Sequence, residues 1–116
     1  MDERLEKALN FSNYMVTLNN QKRMLKEKYY QNLIHYYKGA QFSVNQGLIS
    51  FCQTLINTDQ DDVVLIDDND TPVLIDNLED FMSEILNIYF TASNEYHLEF
   101  DKLKKSRSVE KLVEYE

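Results

Sequence analysis

The chain has 116 residues, with 20 Asp+Glu against 12 Lys+Arg for a net charge of −8, and only two glycines, one proline and one cysteine. One thiol excludes an internal disulfide scaffold and a cysteine-held structural zinc. The scarcity of Gly and Pro leaves no material for a Gly-rich phosphate loop, and the acidic balance argues against a general phosphate-backbone binder.

At this length one domain with a true core is the expectation. In chain order, residues 2–38 read as one long amphipathic helix, with Phe11, Met15, Leu18, Leu25, Tyr29, Leu33 and Tyr36 at helical steps. Gly39 then serves as its C-terminal stop. Ser43 with Gln46 has the form of a capping box, opening a second helix along Val44, Leu48, Phe51, Cys52 and Leu55. The runs Val63–Ile66 and Pro72–Ile75, separated by Asp67-Asp68-Asn69-Asp70-Thr71, predict a β-hairpin over about 63–75. Asp76 is the expected cap of a third helix, whose seam Leu78, Met82, Ile85, Tyr89, Ala92, Tyr96 and Leu103 alternates steps of four and three with Glu99 the only lapse.

These elements define an α+β fold, mostly helical, in the order α-α-β-β-α: two long antiparallel helices, one short helix and one hairpin. The domain is expected over 1–105, with a short tail at 106–116. Within that tail Val109–Tyr115 reads as a frayed last turn, with a docking peptide as the alternative. No run approaches the ~20 apolar residues that cross a bilayer, and residues 1–10 have no signal-peptide core. The expectation is a cytoplasmic protein without a membrane partner.

The charge is uneven. Between Gly39 and Asp101 there is no Lys or Arg, and that stretch carries −13, against +3 for residues 1–38 and +2 for 102–116. Asp67, Asp68 and Asp70 crowd one turn and form the candidate binding site for a basic partner. An EF-hand reading of this turn fails, because Pro72 stands where the loop needs Gly and Leu78 where it needs Glu. No metal site and no cofactor are therefore assigned.

No catalytic set emerges. His35 and His97 have no nucleophile elbow near them, and Cys52 sits on an apolar stripe as a structural thiol. Tyr29, Tyr30, Tyr36 and Tyr37 interleave with lysines, but helical spacing explains them as core and interface, so direct nucleic-acid binding is not expected. The hairpin strands are apolar on both faces and need a cover. Tyr30, Tyr37, Val64, Ile66, Val73 and Ile75 are accordingly the candidate interface.

The strings Leu65-Ile66-Asp67-Asp68-Asn69-Asp70 and Phe90-Thr91-Ala92-Ser93-Asn94-Glu95-Tyr96 resemble those of small proteins of large tailed phages infecting cyanobacteria. The resemblance implies a viral accessory or virion-associated protein and carries no functional residue, and it widens the expected location to host cytoplasm or virion. The sequence-based expectation is a non-enzymatic protein that associates with protein partners, itself first among them. The alternative is an acidic nucleic-acid mimic that occupies a DNA- or RNA-binding protein.

Overall fold

The order of elements in the computed structural model is α1 (Glu3–Asn32), β1 (Ile34–Tyr37), β2 (Ala40–Ser43), α2 (Gln46–Asn57), β3 (Val63–Ile66), β4 (Pro72–Ile75) and α3 (Leu78–Tyr115). It describes residues 2–60 and 62–115, with side chains as far as residue 106. Mostly helical α+β architecture is therefore correct, but the order is α-β-β-α-β-β-α. No described helix is long and apolar enough to cross a membrane.

The first helix ends six residues early. Ile34-His35-Tyr36-Tyr37 is β-branched and aromatic, a composition that favours a pleated, half-buried surface over a helix. Lys38 (φ 49°) and Gly39 (φ 80°) both take left-handed conformations, the geometry of a two-residue hairpin turn. Gly39 is thus the turn of a hairpin and not a helix stop. The strands pair antiparallel, with His35 opposite Phe42 and Tyr37 opposite Ala40.

Two helix caps also differ from expectation by one or two positions. Asn45, not Ser43, caps α2, its Oδ1 accepting the Leu48 N–H at 2.8 Å. Asn77, not Asp76, caps α3 by accepting the Asp80 N–H at 3.1 Å. The expected tail at 106–116 continues α3 as far as Tyr115. Val109–Tyr115 lies outside the residues with described side chains.

The chain divides into two compact units: Tyr29–Asn94, and the residues up to Lys28 together with those from Glu95 onward. In the first, Phe81 (1 % exposed) is the hub. Its ring meets Phe42 at 5.3 Å and Tyr37 at 5.5 Å edge-on, and His35 at 5.7 Å, the offset geometries that aromatic quadrupoles favour. Leu33, Val44, Cys52, Leu65, Ile75, Leu78 and Ile85 complete the buried cluster. The α3 seam is as expected, since Leu78, Met82, Ile85 and Ala92 are all buried.

In the second unit, α1 and α3 run antiparallel. Lys28 bridges Glu95 (3.2 Å) and Glu99 (2.8 Å), while Lys22 lies 5.8 Å from the centre of the Phe100 ring. Glu99, the one lapse in the α3 seam, is an ion-pair partner. Hydrogen bonds from both glutamates raise the Lys28 pKa.

Candidate interaction surface

The turn between β3 and β4 is built by its own aspartates. Asp70 N–H donates to the Asp67 carbonyl, Asp67 N–H donates to the Thr71 carbonyl, and Asp70 is left-handed (φ 60°). This is a three-residue hairpin loop, a type I turn closed by a bulge, in which Asp and Asn tolerate the left-handed position. Asp67 is 7 % exposed, and its Oδ1 accepts from the Asn69 and Thr71 N–H groups at 2.9 and 2.8 Å. That oxygen is consumed by the turn.

Asp68 is turned toward β2. Its N–H donates to the Gln41 carbonyl at 2.9 Å. Its carboxylate accepts from the Ser43 N–H (3.1 Å), the Ser43 hydroxyl (2.6 Å) and the Gln41 side-chain amide (3.1 Å). Asp67 Oδ2 receives the Gln41 N–H at 3.4 Å. Partial burial pushes the Asp68 carboxyl up, but the bonds from Ser43 and Gln41 outweigh it and hold it below its ordinary value. Of the three aspartates singled out by the sequence, two serve the fold, and only Asp70 stands exposed without such a role.

The hairpin register sorts the remaining candidates. Val64 opposes Leu74 and Ile66 opposes Pro72, whereas Val63 opposes Ile75 and Leu65 opposes Val73. Side chains alternate between faces along a strand. Val64, Ile66 and Leu74 are accordingly 59 %, 60 % and 51 % exposed, while Ile75 is fully buried and Val73 half-buried against the core. Ile75 is therefore a core residue and not an interface residue. Leu74, absent from the expected interface, takes its place on the outer face. The loop length and Pro72 carry the signal that could have found it, because together they set the register.

Tyr30 is exposed, whereas Tyr37 packs edge-on against Phe81 and its hydroxyl accepts the Asp76 N–H at 3.4 Å. Asp76 also pairs with Lys38, the only lysine or arginine between Tyr29 and Asn94. A half-open cleft of about 660 Å³ lies beside Tyr30, lined by Tyr29, Leu33, Ile34, Val44, Gly47 and Tyr89 among others, without a charged side chain. His35 Nε2 stands 3.0 Å from the Glu84 carboxylate, out of line for a hydrogen bond. Cys52 is fully buried, and desolvation pushes its thiol up. Among the described residues no group of three His, Cys, Asp or Glu is placed to hold a metal ion.

A second apolar surface lies on α1. At ~100° per residue, Leu5, Leu9 and Val16 fall within about 40° of one another on the helix wheel, and about 140–180° from the buried Tyr14. They are 52 %, 47 % and 57 % exposed. Ser12, Asn13, Asn19 and Asn20 share this arc of the helix, with the charged Asp2 and Glu6 beside it at the N-terminal end and Arg23 and Glu27 on it further along. The stripe expected from the sequence, through Phe11, Met15 and Leu18, runs along a different face.

Comparison with protein-family models, curated proteins and solved structures finds no match for this chain.

Proposed function

We propose that the protein is a non-enzymatic association module that pairs with a second copy of itself along α1. The observation that carries this reading is that α1 is apolar on two opposite sides. One side carries Tyr14, the single buried residue of the helix. The other, Leu5–Leu9–Val16, is exposed. A helix apolar on two sides is satisfied only when both are covered, and a second copy covers the strip by ordinary helix-on-helix packing, at an interaxial spacing of about 8–10 Å. An accessory or virion-associated role, implied by the phage resemblance, belongs to the same proposal.

Sedimentation velocity tests it. The wild-type chain at tens of micromolar is expected as a dimer, and the double substitution Leu9→Glu with Val16→Glu is expected to sediment as a folded monomer. A wild-type chain that remains monomeric at that concentration overturns the proposal.

A further inference from the structure

The four strands differ in how their outer edges are guarded. In the three-residue hairpin loop, Asp67 and Thr71 form a hydrogen-bonded pair, shown by the Asp67 N–H to Thr71 carbonyl bond. Antiparallel pairing alternates, so Leu65 with Val73 and Val63 with Ile75 use their backbone groups within the hairpin. The N–H and C=O groups of Val64 and Ile66 then point away from β4, and those of Leu74 and Pro72 away from β3. On β4 the edge is blunted by Pro72, which has no N–H. On β2 both outward groups of Gln41 and the outward N–H of Ser43 are occupied by Asp67 and Asp68. On β1 one outward residue, Ile34, is half-buried in the cleft, while the other, Tyr36, is exposed. The β3 edge has none of these guards, and both its outward residues are about 60 % exposed.

The charge around β3 is of one sign. Asp59 and Asp62 precede it and Asp70 follows it, all exposed. The unit Tyr29–Asn94 holds ten acidic residues, and its one lysine is already paired with Asp76.

We propose that the β3 edge is a strand-addition site for an extended segment of a partner protein, apolar at its centre and carrying Lys or Arg at both ends. The added strand takes the backbone groups of Val64 and Ile66 and lays alternate side chains beside Val64, Ile66 and Leu74, the mode in which backbone bonds supply affinity and alternate side chains supply specificity. Its basic ends meet Asp59 and Asp62 at one side and Asp70 at the other. A second copy of β3 would bring like charges together at both ends, so charge complementarity selects a basic occupant. The inference rests on the reading of the protein as an association module, but uses a surface separate from the α1 strip.

The test is a titration of the 15N-labelled full chain with two capped synthetic peptides, Lys-Lys-Val-Thr-Ile-Thr-Val-Lys-Lys and the same core flanked by glutamates. With the lysine peptide, the Val64 and Ile66 amides are expected to shift and to gain protection from hydrogen exchange. Its affinity is expected to fall about tenfold between 50 and 500 mM salt, and about threefold or more in the double variant Asp62→Asn with Asp70→Asn. The glutamate peptide is expected to leave both amides unmoved. Equal response to the two peptides, no response to about 1 mM lysine peptide, or shifts centred on Tyr30 and Gly47 in the cleft would overturn the proposal. Concentration-dependent protection of Val64 and Ile66 without peptide would also overturn it, by giving the edge to a second copy. Failure here leaves the sedimentation result with Leu9 and Val16 untouched, so the two readings fail separately.

Discussion

The Asp68 carboxylate accepts hydrogen bonds from both the backbone N–H and the hydroxyl of Ser43, at 3.1 and 2.6 Å, and so joins the turn of one hairpin to the edge of the other. An acidic turn that the sequence presents as a binding loop is in large part a clasp between two-stranded ribbons. A lone two-stranded ribbon is marginal in water, and the clasp supplies each with a neighbour.

Replacing Asp68 by Ala removes three accepted bonds and is expected to destabilise the chain by about 1–2 kcal/mol, read by urea denaturation. The effect depends on pH with a definite sign. The folded-state pKa of Asp68 lies below its ordinary value, so the contribution is fully present above the unfolded carboxyl pKa, about 3.9. It is lost as pH falls through the lower folded value, because the unfolded chain binds the proton first. The gap between wild type and Asp68→Ala should therefore be constant above about pH 5 and narrow progressively below about pH 4.

Ile75→Ala and Leu74→Ala remove similar volumes from adjacent positions on opposite faces of β4. Ile75 is fully buried and Leu74 half-exposed. The first is expected to cost about 2–5 kcal/mol and the second about 0.5 kcal/mol or less. Paired chemical denaturation curves measure the difference. Equal costs would mean that β3 and β4 pair in another register, because a one-residue slip exchanges the faces.

Cys52 is buried and its thiol is pushed up by desolvation, so thiolate is scarce and shielded from reagents. Labelling with an aromatic disulfide reagent at pH 8 is expected to be slow in the folded chain. In denaturant it should reach the rate of a free thiol. Rapid labelling of the folded chain would contradict the packing of α2 against the core.

What the sequence reveals differs by element, and for physical reasons. The α3 seam is legible because a long helix repeats one spacing, and Leu78, Met82, Ile85 and Ala92 keep it. The β3–β4 hairpin is legible because β-branched runs flank turn formers. The β1–β2 hairpin hides because Leu33 and Tyr36 also continue the helical stripe of α1, and Gly39 serves equally as a helix stop or a hairpin turn. Only Lys38 and Gly39 adopting left-handed conformations together resolve that ambiguity. The acidic turn misleads because charge is visible in sequence, whereas the donors that absorb it, Ser43 and Gln41, lie 25 or more residues away. The α1 strip escapes because Leu5, Leu9 and Val16 are spaced as well as the paired stripe, and periodicity alone does not say which side a neighbour covers.

Contacts between two copies at Leu5, Leu9 and Val16 test the central claim most directly. A sample mixing 13C-labelled and unlabelled chains, analysed by isotope-filtered NOE spectroscopy, reports only contacts between copies. Association through α1 requires intermolecular signals from the methyl groups of Leu9 and Val16. A sample with no intermolecular signals there, or with them confined to Val64 and Ile66, would contradict the account.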